Sequence, residues 1–310
     1  MTVAPTAPTG ILAANLICMA SMLIWAAGLP AADLLIPLVP PIPLAAMRLV
    51  LAAAVLLPLW WIIDGGRVVL GANWARGIGV GGVCLGVGSM LLIFAQGQTS
   101  AVTVAVISAM TPVVGIGLEA ALDSRRITLR LILGSLLSLA GGLAAYAAAM
   151  GNLALGLGAL AALGSVLCYT WGSRATVTAF PGLTPLGRTA LTVTGAAIVA
   201  AIAALIHTML GGPGPQWAAM GWPQVGALAL FGIGSIALSQ LLWIMSVGRI
   251  GIAMSSLHLN AAPFYVMIFL FALGGQWNWL QALGAAVVGI GVLFAQGLVG
   301  PNLFRTGQVP

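Results

Sequence analysis

Charged side chains are scarce in this sequence. Its 310 residues include four acidic and ten basic side chains, and charged residues make up 5% of the chain. Lysine is absent, so every basic residue is an arginine. Hydrophobic residues make up 61%, and the mean hydropathy is +1.16. Because a soluble globule of this length needs much more polar surface, the composition predicts an integral membrane protein.

The same scarcity argues against several classes of function. The acidic residues lie at or near the edges of apolar runs, and neither a GxSxG nor an HExxH motif occurs, so we expect no enzyme, metal or cofactor. No basic stripe alternates with aromatics, so we expect no nucleic-acid partner. Cys18, Cys84 and Cys168 match neither a CxxC nor a zinc spacing, and we interpret them as small core residues. The first ten residues lack the positive charge of a signal peptide, so the first apolar run is expected to remain as a span.

Long charge-free blocks indicate where the chain crosses the bilayer. One crossing needs about 20 apolar residues, and blocks 77–118 and 131–173 are each about twice that length. Blocks 189–248 and 250–304, and the segment before Asp64, are divided in the same way by glycine-rich or proline-rich breaks. The sequence therefore predicts an all-α membrane protein of ten transmembrane helices. The predicted spans are 11–29, 40–63, 74–95, 99–120, 128–148, 155–173, 184–207, 222–246, 251–272 and 278–299.

Arginines are confined to one side of this arrangement. With ten spans, four connections and both termini share a side, and nine of the ten arginines lie in them or just inside the adjoining spans. The opposite connections contain no arginine. Because positively charged loops stay in the cytoplasm, both termini are predicted to be cytoplasmic in a multi-pass protein of the cell (inner) membrane.

The two halves of the chain resemble each other. SMLIWAAGLP (21–30) aligns with SVLCYTWGSR (165–174) at an offset of 144, and GQTSAVTVAVISAMTPVV (97–114) aligns with GRIGIAMSSLHLNAAPFY (248–265) at an offset of 151. These alignments pair Ser21 with Ser165, Trp25 with Tyr169, Gly28 with Gly172, Gly97 with Gly248 and Pro112 with Pro263.

The pairing divides the chain into two repeats of five spans. The first repeat covers 1–150, and the second covers 151–310 with a short C-terminal tail. Because five is odd, the second repeat is expected to insert in the opposite orientation. Such inverted-topology repeats are typical of secondary transporters, which place their site between the halves.

Several segments carry a family resemblance. They are PLAAMRLVLAA with Pro43 and Arg48, TPLGRTALTV with Pro185 and Arg188, FAQGQTSAVTVAVISAMTP (94–112), and the two glycine-spaced closing helices. With them the chain resembles the ten-helix drug/metabolite transporter (DMT) superfamily, its EamA-type members in particular, and is similar in general character to the YddG-type amino-acid exporters.

The resemblance has one departure and one implication for the site. Thirteen residues after Pro112 and Pro263, where family members usually have a glutamate, this chain has Arg125 and Gln276. That glutamate is generally structural, so the departure bears on the subfamily more than on the fold. The resemblance implies that the third and eighth spans line the pathway, which makes Ser89, Gln240 and Trp243 candidate substrate-binding residues.

Prolines mark two predicted hinges. Pro263 lacks an N–H and leaves the carbonyl of Leu259 without its helical donor, and Pro112 does the same for Ser108. Both helices therefore have a weak point near mid-membrane. Ser108 is accordingly a candidate substrate-binding residue.

Polar residues of the ninth span are open to two interpretations. At α-helical spacing Ser256 and Asn260 share one face, and His258 and Tyr265 share the next. Asn260 and His258 either hold helices together or bind substrate in a cavity, and both are candidates for the site.

Arginines and aromatics within the spans are ambiguous in the same way. A charge at mid-helix costs on the order of 3 kcal/mol, so Arg48 must face protein or water. Arg48 and its repeat partner Arg188 are interpreted as structural charges that bond helix-end carbonyls or snorkel. Trp25 and Tyr169 fall in mid-span, away from the interfacial belts. Packing is the simpler interpretation, but their symmetric placement favours cavity walls.

The third span contains a glycine motif. Gly77, Gly79 and Gly82 satisfy GxGxxG, but no strand precedes them, so a dinucleotide site is rejected. The spacings from Gly77 to Gly81 and from Gly82 to Gly86 favour close helix packing, and we expect this span to slide or tilt.

Together these features favour a secondary transporter over an intramembrane enzyme or a non-transporting accessory subunit. Phosphorylated solutes need several cationic side chains, and this membrane core offers Arg48 alone. The expected substrates are small neutral or zwitterionic metabolites, foremost aromatic or neutral amino acids, with export suggested by the resemblance. Other metabolites or drugs are the alternative. The expected ammonium ligands are helix ends or proline-freed carbonyls, and the expected carboxylate ligand is an N–H-rich terminus or Asn260.

Coupling and partners complete the prediction. Proton-driven carriers normally keep an acidic residue in the membrane, and His258 is the one mid-membrane group here that titrates near neutral pH. We expect facilitated diffusion by alternating access, in a monomer whose partners are its solute and the lipid bilayer.

Overall fold

The computed structural model describes residues 8–99, 104, 107–108, 110–123, 127–147, 156–272, 276–277, 279–296 and 298. Within these ranges the regular elements are helical and no strand occurs. The helices are α1 (Pro8–Leu35), α2 (Pro41–Asp64), α3 (Gly66–Leu70), α4 (Trp74–Gln98), α5 (Thr111–Asp123), α6 (Leu129–Ala147), α7 (Leu157–Thr178), α8 (Pro185–Met209), α9 (Trp222–Ile250), α10 (Ile252–Ser256), α11 (Ala262–Ala272) and α12 (Trp279–Ala295). A 3-10 turn at Trp217–Ala219 precedes α9, and a 3-10 segment at Leu257–Ala261 joins α10 to α11.

Helix occupies the described part of each of the ten predicted spans. In the part of the chain that the structure describes, five helical segments are long and apolar enough to cross a bilayer: Gly10–Leu35, Pro41–Asp64, Trp74–Gln98, Pro185–Met209 and Trp222–Ile250. Large apolar side chains such as Leu12, Ile62 and Leu205 are exposed on their outer faces, as expected where lipid is the solvent. The chain is therefore a multi-pass membrane protein. The count of ten spans, the inverted repeat and the cytoplasmic termini stay predictions; both chain ends and parts of the fourth predicted span lie outside the described residues.

Proline and glycine set several helix ends. α2 begins at Pro41, where the missing N–H costs nothing. α8 begins at Pro185 after Thr184, whose hydroxyl accepts from the Gly187 N–H at 3.0 Å. At the end of α9, Gly251 has φ +84°, a left-handed conformation that permits the turn into α10. The spans are thus delimited by local sequence as well as by hydropathy.

The packing of the helices follows a repeated scheme. α2 packs on α8, α6 on α12 and α5 on α10, while α1 packs on α9 and α7 on α4. The predicted repeat makes α1 equivalent to α7, α2 to α8, α4 to α9 and α6 to α12, and it places α11, not α10, opposite α5. Exchanging equivalents maps the pairs other than α5 with α10 onto themselves, as the predicted repeat requires.

Glycines allow the closest helix approaches. A Cβ placed on Gly81 of α4 would lie 1.9 Å from the carbonyl oxygen of Thr192 in α8, and one on Gly195 would lie 2.6 Å from the carbonyl oxygen of Gly77. The predicted close packing through Gly77 and Gly81 is therefore present, and its partner is α8. Sliding of this span stays a prediction.

A pair of amides connects the two ends of the chain, and its removal gives a testable effect. Asn15 Nδ2 donates to Gln296 Oε1 at 2.6 Å, and Gln296 Nε2 donates to Asn15 Oδ1 at 2.7 Å. We expect a coupling of about 0.6 to 1.7 kcal/mol between Asn15→Ala and Gln296→Ala, the range found for hydrogen bonds between membrane helices. Unfolding in detergent of both single variants and the double variant measures it. Strictly additive losses would show that the pair contributes nothing.

Candidate functional site

A central cavity lies among α1, α2, α4, α7 and α9 and the start of α5. The space among its lining atoms amounts to about 620 Å³, counting the space at its opening. Its lining residues are Met22, Trp25, Arg48, Cys84, Leu85, Gly88, Ser89, Leu92, Ser108, Thr111, Ser165, Val166, Tyr169, Ser235, Ile236, Gln240 and Leu259. Five predicted substrate-binding residues are among them: Trp25, Ser89, Ser108, Tyr169 and Gln240.

The cavity lining is composed largely of repeat equivalents. At the offset of 144 Met22 pairs with Val166 and Trp25 with Tyr169; at 151 Cys84 pairs with Ser235, Leu85 with Ile236, Ser89 with Gln240 and Ser108 with Leu259. Both members of these six pairs line the cavity. Under the predicted repeat, the two halves of the chain thus contribute corresponding positions to one shared space.

Hydrogen bonds repeat in the same way at the cavity wall. Ser21 Oγ of α1 donates to the Ser239 carbonyl at 2.8 Å, and its equivalent Ser165 Oγ donates to the Gly88 carbonyl at 2.7 Å. Gly88 and Ser239 are themselves equivalents at the offset of 151. Equivalent serines thus donate to equivalent backbone carbonyls.

A second equivalent pair lies one turn away. Ser235 Oγ is 3.5 Å from the Trp25 carbonyl, and Cys84 Sγ is 3.7 Å from the Tyr169 carbonyl. These long contacts orient the backbone beside the two predicted aromatic residues, both of which line the cavity.

Each of the two helices that contain these positions is locally widened. π-helix runs over Gly82–Val87 in α4 and over Leu230–Leu238 in α9. Both segments contain two glycines and supply two adjacent lining residues. A π segment costs helix stability and is frequent at functional sites. Its presence at equivalent places points to a constraint from the cavity.

Polar groups are presented on one wall by Tyr169 and Gln240. Tyr169 Oη donates to Gln240 Oε1 at 3.1 Å, and its ring packs on that of Trp243 with 5.9 Å between centroids. Gln240 lines the cavity, and no hydrogen bond of its Nε2 to another described residue is seen. The phenol fixes the amide orientation, and the amide supplies the contact.

Arg48 also faces this space. It is 3% exposed and lines the cavity, with Nη2 donating to Ser89 Oγ at 3.0 Å and its guanidinium carbon 4.2 Å from the centre of the Phe231 ring. Among the described residues it has no hydrogen bond to a helix-end carbonyl, and its role as a structural charge stays a prediction. Arg188 fits that interpretation, since it donates to the carbonyls of Phe180 at 2.9 Å and Pro181 at 3.1 Å.

Three predicted site residues are absent from the described lining of the cavity. Trp243 is fully buried and donates from Nε1 to Ser173 Oγ at 3.0 Å. His258 Nδ1 lies 3.2 Å from the carbonyl of Ser255. Asn260 Nδ2 donates to Ser138 Oγ of α6 at 3.0 Å. These contacts match packing and interhelical hydrogen bonding, the simpler of the two interpretations.

The two carbonyls that lose their helical donor to a hinge proline accept hydrogen bonds from other groups. The Ser108 carbonyl accepts from Thr111 Oγ1 at 2.6 Å, and the Leu259 carbonyl accepts from the N–H of Ala262 in the 3-10 segment. Each of these carbonyls thus has one of its two lone pairs engaged, and its binding of an ammonium group stays a prediction. The local irregularity beside Pro263 is present as 3-10 helix.

Two contacts at the C-terminal end of α5 are not predicted by the sequence. Glu119 is 5% exposed, and its Oε1 accepts from the Ala253 N–H of α10 at 3.1 Å. Asp123 forms a two-bond ion pair with Arg174 of α7. Both contacts connect the two halves on the predicted cytoplasmic side.

Four polar residues of the described lining are not among the predicted site residues: Cys84, Thr111, Ser165 and Ser235. Ser165 was paired with Ser21 in the repeat but was not assigned to the site. Extending the offset of 151 into the eighth span pairs Cys84 with Ser235. The repeat could therefore have predicted that these two residues occupy equivalent positions.

Comparisons with known proteins agree with this geometry. Residues 12–146 match the model of the EamA-like transporter family. The "Uncharacterized transporter YyaM" of Bacillus subtilis (strain 168) is 32% identical over 83 residues, a match that covers 27% of each chain. A solved structure titled "Crystal structure of protein" superimposes with a TM-score of 0.74, covering 93% of this chain and 98% of that one at 23% identity, which establishes a shared fold. Residues 12–146 of this multi-pass membrane protein, slightly less than half of the chain, are thus similar to the EamA-like transporter family.

Proposed function

We propose that the protein is a secondary transporter that moves small neutral or zwitterionic metabolites, foremost amino acids, out of the cell. The observation that carries this proposal is the cavity whose walls come in equivalent pairs from the two halves of the chain. A site between repeats is the arrangement by which secondary transporters expose one solute to each side in turn.

The lining suits a small solute with an apolar part and a few polar groups. Met22, Trp25 and Leu85 offer apolar and aromatic surface, while Gln240 and the serines offer hydrogen bonds. Of the described lining residues Arg48 alone is charged. A phosphorylated solute carries about two charges and calls for several cations, so neutral and zwitterionic solutes fit better.

Alternating access supplies the mechanism of the proposal. Opening toward the cytoplasm requires the inter-half contacts at the inner end of α5 to break, namely Glu119 with Ala253 and Asp123 with Arg174. The π segments of α4 and α9 and the 3-10 segment before Pro263 are places where the helix is already irregular and rearrangement costs less. The solute's own gradient drives the net flux.

Counterflow in proteoliposomes tests the proposal with two matched variants. Trp25→Ala changes a cavity wall, and Asn260→Ala changes a buried contact absent from the described lining. We expect wild type to exchange a radiolabelled neutral amino acid, Trp25→Ala to lose at least about tenfold in exchange, and Asn260→Ala to lose stability while exchange per folded molecule persists. No exchange of any amino acid by well-folded wild type would refute amino-acid transport.

A further inference from the structure

Arg48 is a buried cation inside the cavity. Its guanidinium makes one hydrogen bond with the described residues, to Ser89, and its Nε is buried without a partner. Phe231 packs on the guanidinium at 4.2 Å and fixes its position. A charge held in a membrane core is costly unless it is compensated, so the missing compensation needs an explanation.

Every carboxylate side chain of the chain has another partner. The sequence contains four, and all four are described. Asp33 accepts from Gln96 Nε2 at 2.8 Å, and Asp64 accepts from Thr184 Oγ1 at 2.6 Å and from Trp60 Nε1 at 3.1 Å.

The other two acidic residues are at the inner end of α5. Glu119 accepts from the Ala253 N–H, and Asp123 pairs with Arg174. Among the described residues none of the four contacts Arg48, so no acidic side chain supplies the counter-ion.

We propose that the counter-ion of Arg48 is the transported solute, which the cavity recognises through a carboxylate group. This inference rests on the proposed transport function and gives its substrates a required chemical group. A guanidinium presents several N–H donors in one plane and matches a carboxylate with two parallel hydrogen bonds. The unpartnered Nε and the position in the cavity lining leave that fork available.

The remainder of the lining makes the recognition selective. Of the described residues that line the cavity, none is acidic. A cationic solute would meet the charge of Arg48 with no anion to compensate it, whereas a carboxylate neutralises the site. A solute with a carboxylate and no amino group therefore binds, and an amine without a carboxylate is rejected.

Four compounds that share a phenylethyl group test this. L-phenylalanine carries both charges, 3-phenylpropionate only the carboxylate, L-phenylalaninamide and phenethylamine only the amine. Each is added in excess to counterflow of radiolabelled L-phenylalanine, and each is assayed for thermal stabilisation of the detergent-purified protein. We expect L-phenylalanine and 3-phenylpropionate to compete and stabilise, and the two amines to do neither.

Variants of Arg48 complete the experiment. Arg48→Gln is expected to weaken competition by both carboxylates about tenfold or more, while Arg48→Lys keeps part of it. Arg188→Gln is the matched control, since that arginine bonds loop carbonyls, and it should leave the ranking unchanged. If Arg48→Gln does not fold, Ser89→Ala, which loosens the same guanidinium, provides the test and should weaken carboxylate competition.

The outcomes separate this inference from the transport proposal. Exchange of L-phenylalanine with equal competition by phenethylamine or the amide overturns carboxylate recognition and leaves transport standing. A folded Arg48→Gln variant that still distinguishes carboxylates from amines as wild type does also overturns carboxylate recognition and leaves transport standing. If no amino acid exchanges, but 3-phenylpropionate stabilises wild type and not Arg48→Gln, the transport proposal falls while the carboxylate site is supported. If the protein shows no exchange and no ligand stabilises it, both proposals are overturned.

Discussion

Alanine in place of Gly81 is expected to destabilise the protein severely. The added Cβ would lie 1.9 Å from the carbonyl oxygen and 2.7 Å from the carbonyl carbon of Thr192 in α8. These are backbone atoms, so no side-chain rotation relieves the clash, and α4 and α8 must separate along their contact. Overpacking of this kind costs about 3 kcal/mol or more, against a gain of about 1 kcal/mol in helix propensity.

Gly79 provides a matched control two residues away. A Cβ there meets nothing within 4 Å, so Gly79→Ala gains helix propensity without a clash and should be neutral or slightly stabilising. Size-exclusion profiles and thermal unfolding of both variants in detergent measure the difference. Equal behaviour of the two variants would mean that α4 and α8 do not approach as closely as described.

Removal of the Glu119 carboxylate is expected to have the second largest effect. The buried Oε1 of Glu119 accepts the N–H of Ala253, which is itself fully buried in the first turn of α10. In Glu119→Ala this N–H loses its acceptor far from water. An unsatisfied buried donor costs about 1 to 3 kcal/mol, toward the upper end when the lost partner is charged. We therefore expect a loss of about 2 to 3 kcal/mol in unfolding free energy.

Two further variants separate the hydrogen bond from the charge. Glu119→Gln keeps an oxygen acceptor and should recover most of the loss. Asp123→Ala removes a carboxylate from the same helix whose side chain is 40% exposed, and it should cost less than about 1 kcal/mol because exposed ion pairs contribute little. Chemical unfolding in detergent ranks the three. A Glu119→Gln variant as unstable as Glu119→Ala would assign the effect to charge instead.

Helix positions were accessible from the sequence because the bilayer imposes one rule on length and charge. Blocks without Asp, Glu or Arg longer than one crossing had to contain a turn, and the turns fall at glycine, proline or polar breaks. The predicted start of the seventh span at 184 and the observed start of α8 at Pro185 agree for this reason. Which helices pack together was not predictable from hydropathy, since lipid-facing and protein-facing residues are equally apolar.

Part of the cavity lining can be anticipated from the repeat. The repeat pairs Trp25 with Tyr169, and both line the cavity. The role of Arg48 was less predictable, because it depends on which groups contact the guanidinium. Sequence alone does not give these contacts.

The polar stretch around Pro263 was harder for a geometric reason. The faces assigned to His258 and Asn260 assumed 3.6 residues per turn, but Leu257–Ala261 is a 3-10 helix with about three residues per turn. Over five residues the difference rotates the side chains onto other faces. Asn260 bonds Ser138 on α6, a contact that matches the interhelical interpretation, and its substrate role stays a prediction.

The equivalent pairs around the cavity also bear on directionality. In a carrier whose halves exchange conformations, a perfectly symmetric pair of halves would make the two access states equal in energy. The bias between them then arises from pairs whose members differ, such as Trp25 with Tyr169, Cys84 with Ser235 and Ser89 with Gln240. Under the proposed alternating access, making all such pairs identical would bring the two access states closer in energy, so the differing pairs would set the resting state.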